Sequence, residues 1–444
     1  MKVNRGIIEK YNQPGSILVV SSYPEKGVKY SGKVCAVGGF AKNTLASLRN
    51  EYQAQGEKRN FIVLTVTTNG KQEVYEENGI LVIRCLKRDD VFSYFSFLRY
   101  AILFNQVKEV LAEFEFASFG GVLMTGLLPF ILGMLRVFGK RIVLVVHQVV
   151  FDLNQLTGHV GFRKNSWKLR FFQTGLKLFY QIMCLPAEKI VVLEKEFKNR
   201  LVKLVNPEKI AIIPHGVDNS LRLVNKSFAR KKLGIKRDEK VLLYFGYLAW
   251  YKGIDKLLEI VNKKGIKLIV AGGASFTQKK KPHYQQYLSR VRLLAKEKNV
   301  QITGFLPEDK IKLYFSAADL VVLPYRTFMS SSGPLSLTLS HGKPFIISQP
   351  MANILETIDF KESLASLGLK KSDVIFQLTK NSLGKKLERI GKTGPLEKLS
   401  VMMREKRNFE NLSADYLDIL GKKEAPIGLF KGKISPAFRL SKTV

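Results

Sequence analysis

Short, largely apolar runs recur along this chain, and segments with helical spacing separate most of them. In the first half the runs lie at 17–21 (ILVVS), 61–66 (FIVLTV), 80–85 (ILVIRC), 142–146 (IVLVV), 190–193 (IVVL) and 210–213 (IAII). The continuous run at 17–21 is typical of a strand buried on both faces, as a central strand of a parallel sheet is beneath helices. Strand and helix in alternation predict a doubly wound α/β fold. Helices are predicted over 43–53 and 91–114. At Pro214-His215-Gly216-Val217-Asp218 the pattern breaks, and a charged connection runs to Lys240. A second series then begins, with strands at 241–245, 267–271, 300–303, 320–323 and 345–348 and helices near 253–263, 284–297, 308–316 and 335–341. The prediction is two Rossmann-like domains, 1–213 and 214–400, facing across a cleft with a hinge at 214–218. The segment 380–421 reads as amphipathic helix, and its last part, 401–421, is predicted to pack back on the N-terminal domain. The stretch 422–444 reads as a basic tail.

With 46% hydrophobic and 11% aromatic residues in 444, the chain can fill two sizeable cores. Its charge is lopsided: 72 Lys and Arg face 37 Asp and Glu, a formal net of +35. Small phosphorylated substrates, an anionic membrane surface or nucleic acid would each suit that balance, and a lysine-rich genome would produce it with no partner. Lysine is spread along the chain with only short clusters such as Lys279 to Lys281, and no finger, RNP-like motif or basic zipper is present, so nucleic acid ranks last. Cys35, Cys85 and Cys184 are far apart and read as buried thiols in a cytosolic protein. The opening MKVNRGIIEKYNQPGS lacks the apolar core of a leader. The expected location is cytoplasmic, with peripheral attachment at the inner membrane face as an option. The uncharged segment 116–135 is long enough to span a bilayer. Its four glycines and Pro129 instead favour a turn and a buried helix. The segment 162–183 (FRKNSWKLRFFQTGLKLFYQIM) places a broad apolar face on one helix. Core packing is the preferred reading of that face, and membrane contact the alternative.

One stretch carries chemistry. After the run at 320–323, the loop Ser330-Ser331-Ser332-Gly333 leads into a helix opened by Pro334. The amide groups of a helix start form a seat for a phosphate. Upstream, YFGYLAWYKGIDKLLEIV (244–261) repeats the plan with a glycine, Gly246, and a lysine, Lys252, before its helix. Lys252 could be one more solvated lysine, but its place after Gly246 and before a helix favours the functional reading. Two such turns suggest a diphosphate gripped from two sides. No DxD or histidine cluster stands out as a metal site.

These elements together resemble the glycosyltransferases of group 1, family 4, with the GT-B fold, over roughly 17–421. The resemblance rests on Gly38-Gly39, on Val145-Val146-His147, on Ile213-Pro214-His215-Gly216-Val217-Asp218, and on Gly246 through Lys252-Gly253 with Leu323-Pro324-Tyr325 and His341-Gly342-Lys343-Pro344. It implies transfer of a sugar, with retention, from a nucleoside diphosphate sugar to a glycan or lipid-linked acceptor, without a cofactor or metal. It implies that Lys252 and His147 are catalytic, His147 touching the sugar or β-phosphate. Gly246, Ser331, Ser332, Gly333, Pro334 and Leu335 would hold the donor, Gly304 and Phe305 would lie near its base, and Gly38-Gly39 would form an acceptor or phosphate loop. His215 is expected to hold the interdomain turn, and His341 to sit as a basic group at a helix end. Gly272-Gly273 reads either as a close approach to the nucleotide or as a plain turn. Glu308-Asp309 reads as a helix start. Three positions depart from the family pattern: Tyr247 replaces an arginine, and Met329 and Leu337 replace two glutamates. A serine-loop variant subgroup is one explanation. A catalytically degenerate binding or scaffold protein is the other.

Overall fold

The computed structural model describes residues 3–29, 35–116, 118–261, 265–275, 277–298 and 300–421; the predicted tail 422–444 lies outside them. Among the described residues fourteen strands form two sheets. The first contains β1 (Ile17–Val20), β2 (Phe61–Val66), β3 (Glu73–Glu77), β4 (Ile80–Leu86), β5 (Glu109–Phe114), β6 (Arg141–Val146), β7 (Lys189–Val192) and β8 (Ile210–Ile212). Their order is β3-β4-β2-β1-β5-β6-β7-β8, parallel except for the antiparallel edge strand β3. The second contains β9 (Lys240–Phe245), β10 (Ile266–Ala271), β11 (Gln301–Ile302), β12 (Leu320–Leu323), β13 (Phe345–Ser348) and β14 (Ile375–Phe376), in the order β11-β10-β9-β12-β13-β14 and all parallel. The chain direction across each sheet reverses at one place, between β1 and β5 and between β9 and β12. Ligands of such sheets bind beyond the carboxyl ends of the strands at these points.

Along β1 the side chains divide evenly. Ile17 and Val19 join one core with Phe40, Leu45 and Leu48 of the helix Val37–Ala54. Leu18 and Val20 join the core beneath the helices Ser93–Leu103, Val122–Val137 and Trp167–Cys184. The helix predicted over 91–114 is corrected here. Its first half is the helix Ser93–Leu103, but Glu109–Phe114 is the central strand β5. The turn between them is pinned from outside. Buried Lys140 donates to the carbonyls of Phe104 and Val107 at 3.0 and 2.7 Å, and the Asn12 carboxamide accepts from the Gln106 amide at 2.9 Å. The edge strand β3 and the short β14 carry no apolar run and escaped prediction.

The segment 116–135 folds as a turn and the helix Val122–Val137. Among the described residues no helix is long and apolar enough to cross a membrane. The core reading of 162–183 is overturned for its leading half. Leu169, Tyr180, Met183 and Cys184 are buried, whereas Trp167 and Phe171 are 73% and 72% exposed and Phe172 is 46% exposed.

The chain passes between the lobes twice, and the two passages are joined. Val217 pairs with Asn408, and the Val217 amide donates to the Arg407 carbonyl at 2.8 Å. The helix Phe409–Leu420 then lies on the N-terminal lobe, with Leu412, Tyr416 and Leu420 in the core of Ile17 and Val19. Arg141 closes its end, donating to the carbonyls of Ile419 and Leu420 at 2.8 and 3.3 Å while pairing with Glu109 and Glu188. A cation there satisfies carbonyls that the helix itself cannot.

Candidate active site

The strand β9 delivers Gly246 to the reversal point of the second sheet. Its φ is +130°, and a Cβ there would lie 2.8 Å from Lys252 Nζ and 3.1 Å from Pro334 Cγ. Glycine thus lets the lysine head and the start of the helix Gly333–Ser340 converge on one backbone turn. Gly272, after β10, packs so closely that a Cβ would lie 1.8 Å from the Gly246 carbonyl oxygen. The pair Gly272-Gly273 is therefore a backbone-to-backbone contact. A Cβ on Gly273 would in turn sit 2.8 Å from the Phe305 amide nitrogen. Gly304 and half-exposed Phe305 complete this wall beyond β11.

Lys252 is only 6% exposed, and burial brings its ammonium down to about 8. The Tyr251 and Tyr325 rings lie beneath it, with centroids 6.0 and 5.7 Å from Nζ. Among the described residues Nζ has no carboxylate at ion-pair distance. Glu115 is close enough to act on it electrostatically, in the direction that favours charge. Ser332 caps the neighbouring helix: its hydroxyl accepts from the Leu335 amide at 3.2 Å and lies 3.0 Å from the Tyr325 hydroxyl. The Gly333 amide keeps no acceptor among the described residues. The structure thus gathers Lys252, Gly246, Ser332, Gly333 and Pro334 in one place.

The N-terminal lobe supplies the opposite wall. Ser331 donates its amide to the His147 carbonyl at 3.1 Å, and Ser330 pairs with Gln148 in an antiparallel bridge. The serine loop is therefore clasped to the end of β6. The His147 side chain is almost fully enclosed. It is buried between Phe40, at a ring-centroid distance of 4.8 Å, and Glu113 Oε2, 3.3 Å from Nε2. Burial lowers the imidazole to about 4 and raises the Glu113 carboxyl to about 8. At neutral pH this contact therefore joins two uncharged groups and is no ion pair.

Gly38 and Gly39 do not form a loop. They lie buried in the first turn of the helix Val37–Ala54, and their amides already bond to Cys35 and Ala36 at 2.9 and 3.2 Å. The helix start does reach the gap, because Cys35 Sγ contacts Glu115. His341 is also corrected. Burial lowers it to about 4, so the neutral ring stacks on Phe315 at 4.5 Å instead of offering charge to the helix end. His215 is held through Nδ1 by its neighbour's carbonyl at 2.8 Å and packs edge-on to Phe40. Glu308 and Asp309 begin the helix Glu308–Ala317, but Glu308 also accepts from the Lys29 amide at 3.0 Å.

The apolar replacements are packed. Met329 joins Val150, Leu153, Leu156 and Leu169 in a small cluster between the lobes. Leu337 lines a cavity of about 210 Å³ with Lys29, Arg222, Glu308, Lys312 and His341. Glu115 is the residue that the sequence reading missed. Its position just beyond β5, at the reversal point of the first sheet, would have exposed it, had 109–114 been recognised as a strand.

Two family profiles match the chain in tandem: Glycosyltransferase Family 4 over residues 41–221 and Glycosyl transferases group 1 over residues 225–363. An uncharacterised glycosyltransferase of Methanocaldococcus jannaschii is 27% identical over 185 residues, 38% of this chain and 44% of that protein. A D-inositol 3-phosphate glycosyltransferase of Segniliparus rotundus is 31% identical over 125 residues, 27% of either chain. The matched segments thus span less than half of these relatives. Among solved structures, sucrose-phosphate synthase of Thermosynechococcus elongatus superposes with a TM-score of 0.66 at 16% identity, over 91% of this chain and 98% of that one. HepE of Anabaena in complex with UDP and glucose gives 0.58 at 13% identity, over 91% and 99%. WaaG, a glycosyltransferase involved in lipopolysaccharide biosynthesis, gives 0.57 at 14% identity, over 91% and 99%. The fold is that of the GT-B proteins.

Proposed function

Because the chain belongs to the glycosyltransferases of group 1 and family 4, we propose that it moves a sugar from a nucleoside diphosphate sugar to a saccharide or lipid-linked acceptor, with retention of configuration. The observation that carries this reading is the meeting of Lys252 Nζ, Gly246 and Pro334 at the switch point of the second sheet. A leaving diphosphate gathers negative charge as the bond to the sugar breaks. A buried cation and the amide end of a helix, fixed before the substrate arrives, stabilise that charge at little reorganisation cost. Among the described residues Lys252 has no carboxylate at ion-pair distance, so a diphosphate would be its counter-ion. The Gly304-Phe305 wall offers the base a surface, and the neighbour HepE, solved with UDP and glucose, supports a uridine donor as the first to try. Cytoplasmic location is part of this proposal.

A second reading has its own observation. Met329 and Leu337 are buried as ordinary apolar residues at the two places where the family resemblance implied glutamates, which suits a binding or scaffold protein that has lost turnover. One experiment separates the two. A panel of nucleoside diphosphates and their sugars is screened by thermal shift, and each binder is assayed for nucleoside diphosphate release. A binder raises the midpoint by mass action. Release supports the transferase, and binding without release across the panel supports the scaffold. A folded protein that binds no donor overturns both.

A further inference from the structure

Fifteen of the twenty-two large hydrophobic residues that are exposed among the described residues fall within 92–138 and 167–185. These stretches hold the three helices Ser93–Leu103, Val122–Val137 and Trp167–Cys184, which cover one side of the first sheet. The helices are contiguous. The Tyr94 hydroxyl donates to the Met124 carbonyl at 2.9 Å, joining the first to the second, and the second packs along the third. Phe95, Val122, Phe130, Trp167, Phe171 and Leu178 are each more than half exposed. The charge on the same helices has a single sign. Arg99, Arg136, Lys168, Arg170 and Lys177 are exposed, Arg163 and Lys164 precede the third helix, and none of the three contains an acid. The nearby acids are engaged: Asp89 accepts from the Gly121 amide at 2.6 Å, Asp90 from the Phe92 amide at 3.1 Å, and Glu188 pairs with Arg141. The helices on the opposite side of the sheet, Val37–Ala54 and Phe409–Leu420, expose no large hydrophobic residue.

We infer that this three-helix face is a docking surface for an anionic lipid bilayer, entered in the plane of the membrane without spanning it. Aromatic and aliphatic side chains set among exclusively basic ones match both parts of such a surface, the acyl boundary and the anionic headgroups. Continuous exposed apolar area of this kind is also uncommon on a free-standing soluble chain. The inference is independent of the transferase reading, since it concerns the outside of the N-terminal lobe.

The test is co-sedimentation of the full chain with vesicles of phosphatidylcholine, with and without phosphatidylglycerol. Binding is expected to the phosphatidylglycerol vesicles only, and to fall as salt rises. The double substitution Trp167→Glu and Phe171→Glu should weaken it at least tenfold while leaving the thermal midpoint unchanged, because both side chains are exposed. Replacing Arg170 by Ala should weaken it about fivefold at low salt. Ile358→Glu, on the C-terminal lobe and 77% exposed, is the control and should bind as the parent does. Absence of binding by the parent overturns the inference, as does undiminished binding by the double variant. A dimer seen by light scattering that Phe171→Glu dissolves also overturns it, because a second copy would then own the face.

Discussion

At the gap, the carboxyl ends of the two sheets carry different chemistry. The six-stranded sheet offers a buried ammonium, a capped helix start and a wall of glycine backbone. The eight-stranded sheet offers Glu113, His147 and Glu115, and burial keeps the first two uncharged near neutrality. One half is thus built to receive negative charge, and the other is not. This division teaches that two copies of one architecture can be given opposite jobs by which ionisable groups and backbone donors stand at their strand ends. Desolvation moves lysine and carboxyl groups in opposite directions, each toward its neutral form. Lys252 stays charged below about pH 8 because it stops short of full neutralisation.

The sharpest way to break the contrast is to remove the cation. Lys252→Ala should cut turnover by about a thousandfold, the scale of one transition-state donor, without lowering the thermal midpoint, since it deletes a buried charge. Release of nucleoside diphosphate under saturating donor measures it. Next comes Gly246→Ala, whose Cβ would meet Lys252 and Pro334 at a backbone angle that alanine tolerates poorly. About 1–3 kcal/mol of stability should be lost by denaturant titration, along with most donor binding. Third, donor affinity measured by calorimetry should fall as pH rises through about 8, where the free lysine loses its proton. Lys252→Arg should flatten that profile, whatever it does to turnover, because guanidinium stays charged. A smaller effect is expected of Ser332→Ala, which removes a helix cap worth about 1 kcal/mol.

The mildest prediction concerns the other lobe. Glu113 has a folded pKa of about 8 against an ordinary value of 4.5, so the folded state holds a proton that the unfolded state gives up. Its contribution to stability is present below pH 4.5 and is lost as pH climbs toward 8. Glu113→Gln should therefore leave stability nearly unchanged at low pH and raise it relative to the parent above neutrality.

That same glutamate explains where the sequence was hard to read. The apolar runs announced nearly every central strand, and the glycine, lysine and serine signals led to residues that meet in space. The strand Glu109–Phe114 was the exception, because EVLAEF is built from good helix formers and carries two acids. A neutral glutamate inside a sheet looks, on paper, like a helical one facing water. With β5 hidden, Glu115 was hidden too. The aromatic face at 162–183 misled for a related reason: periodicity shows which side is apolar, not what covers it. For His147, nothing local to VVH says that its carbonyl would meet the serine loop while its ring lies beside Phe40 and Glu113.

The helix Phe409–Leu420 has a consequence for synthesis. It completes a core whose other members lie mostly between residues 17 and 213. A ribosome making this chain therefore finishes the first lobe last. Until residue 420 emerges, Phe40 and Leu48 lie beneath an open surface, and the half made earliest waits on the half made latest.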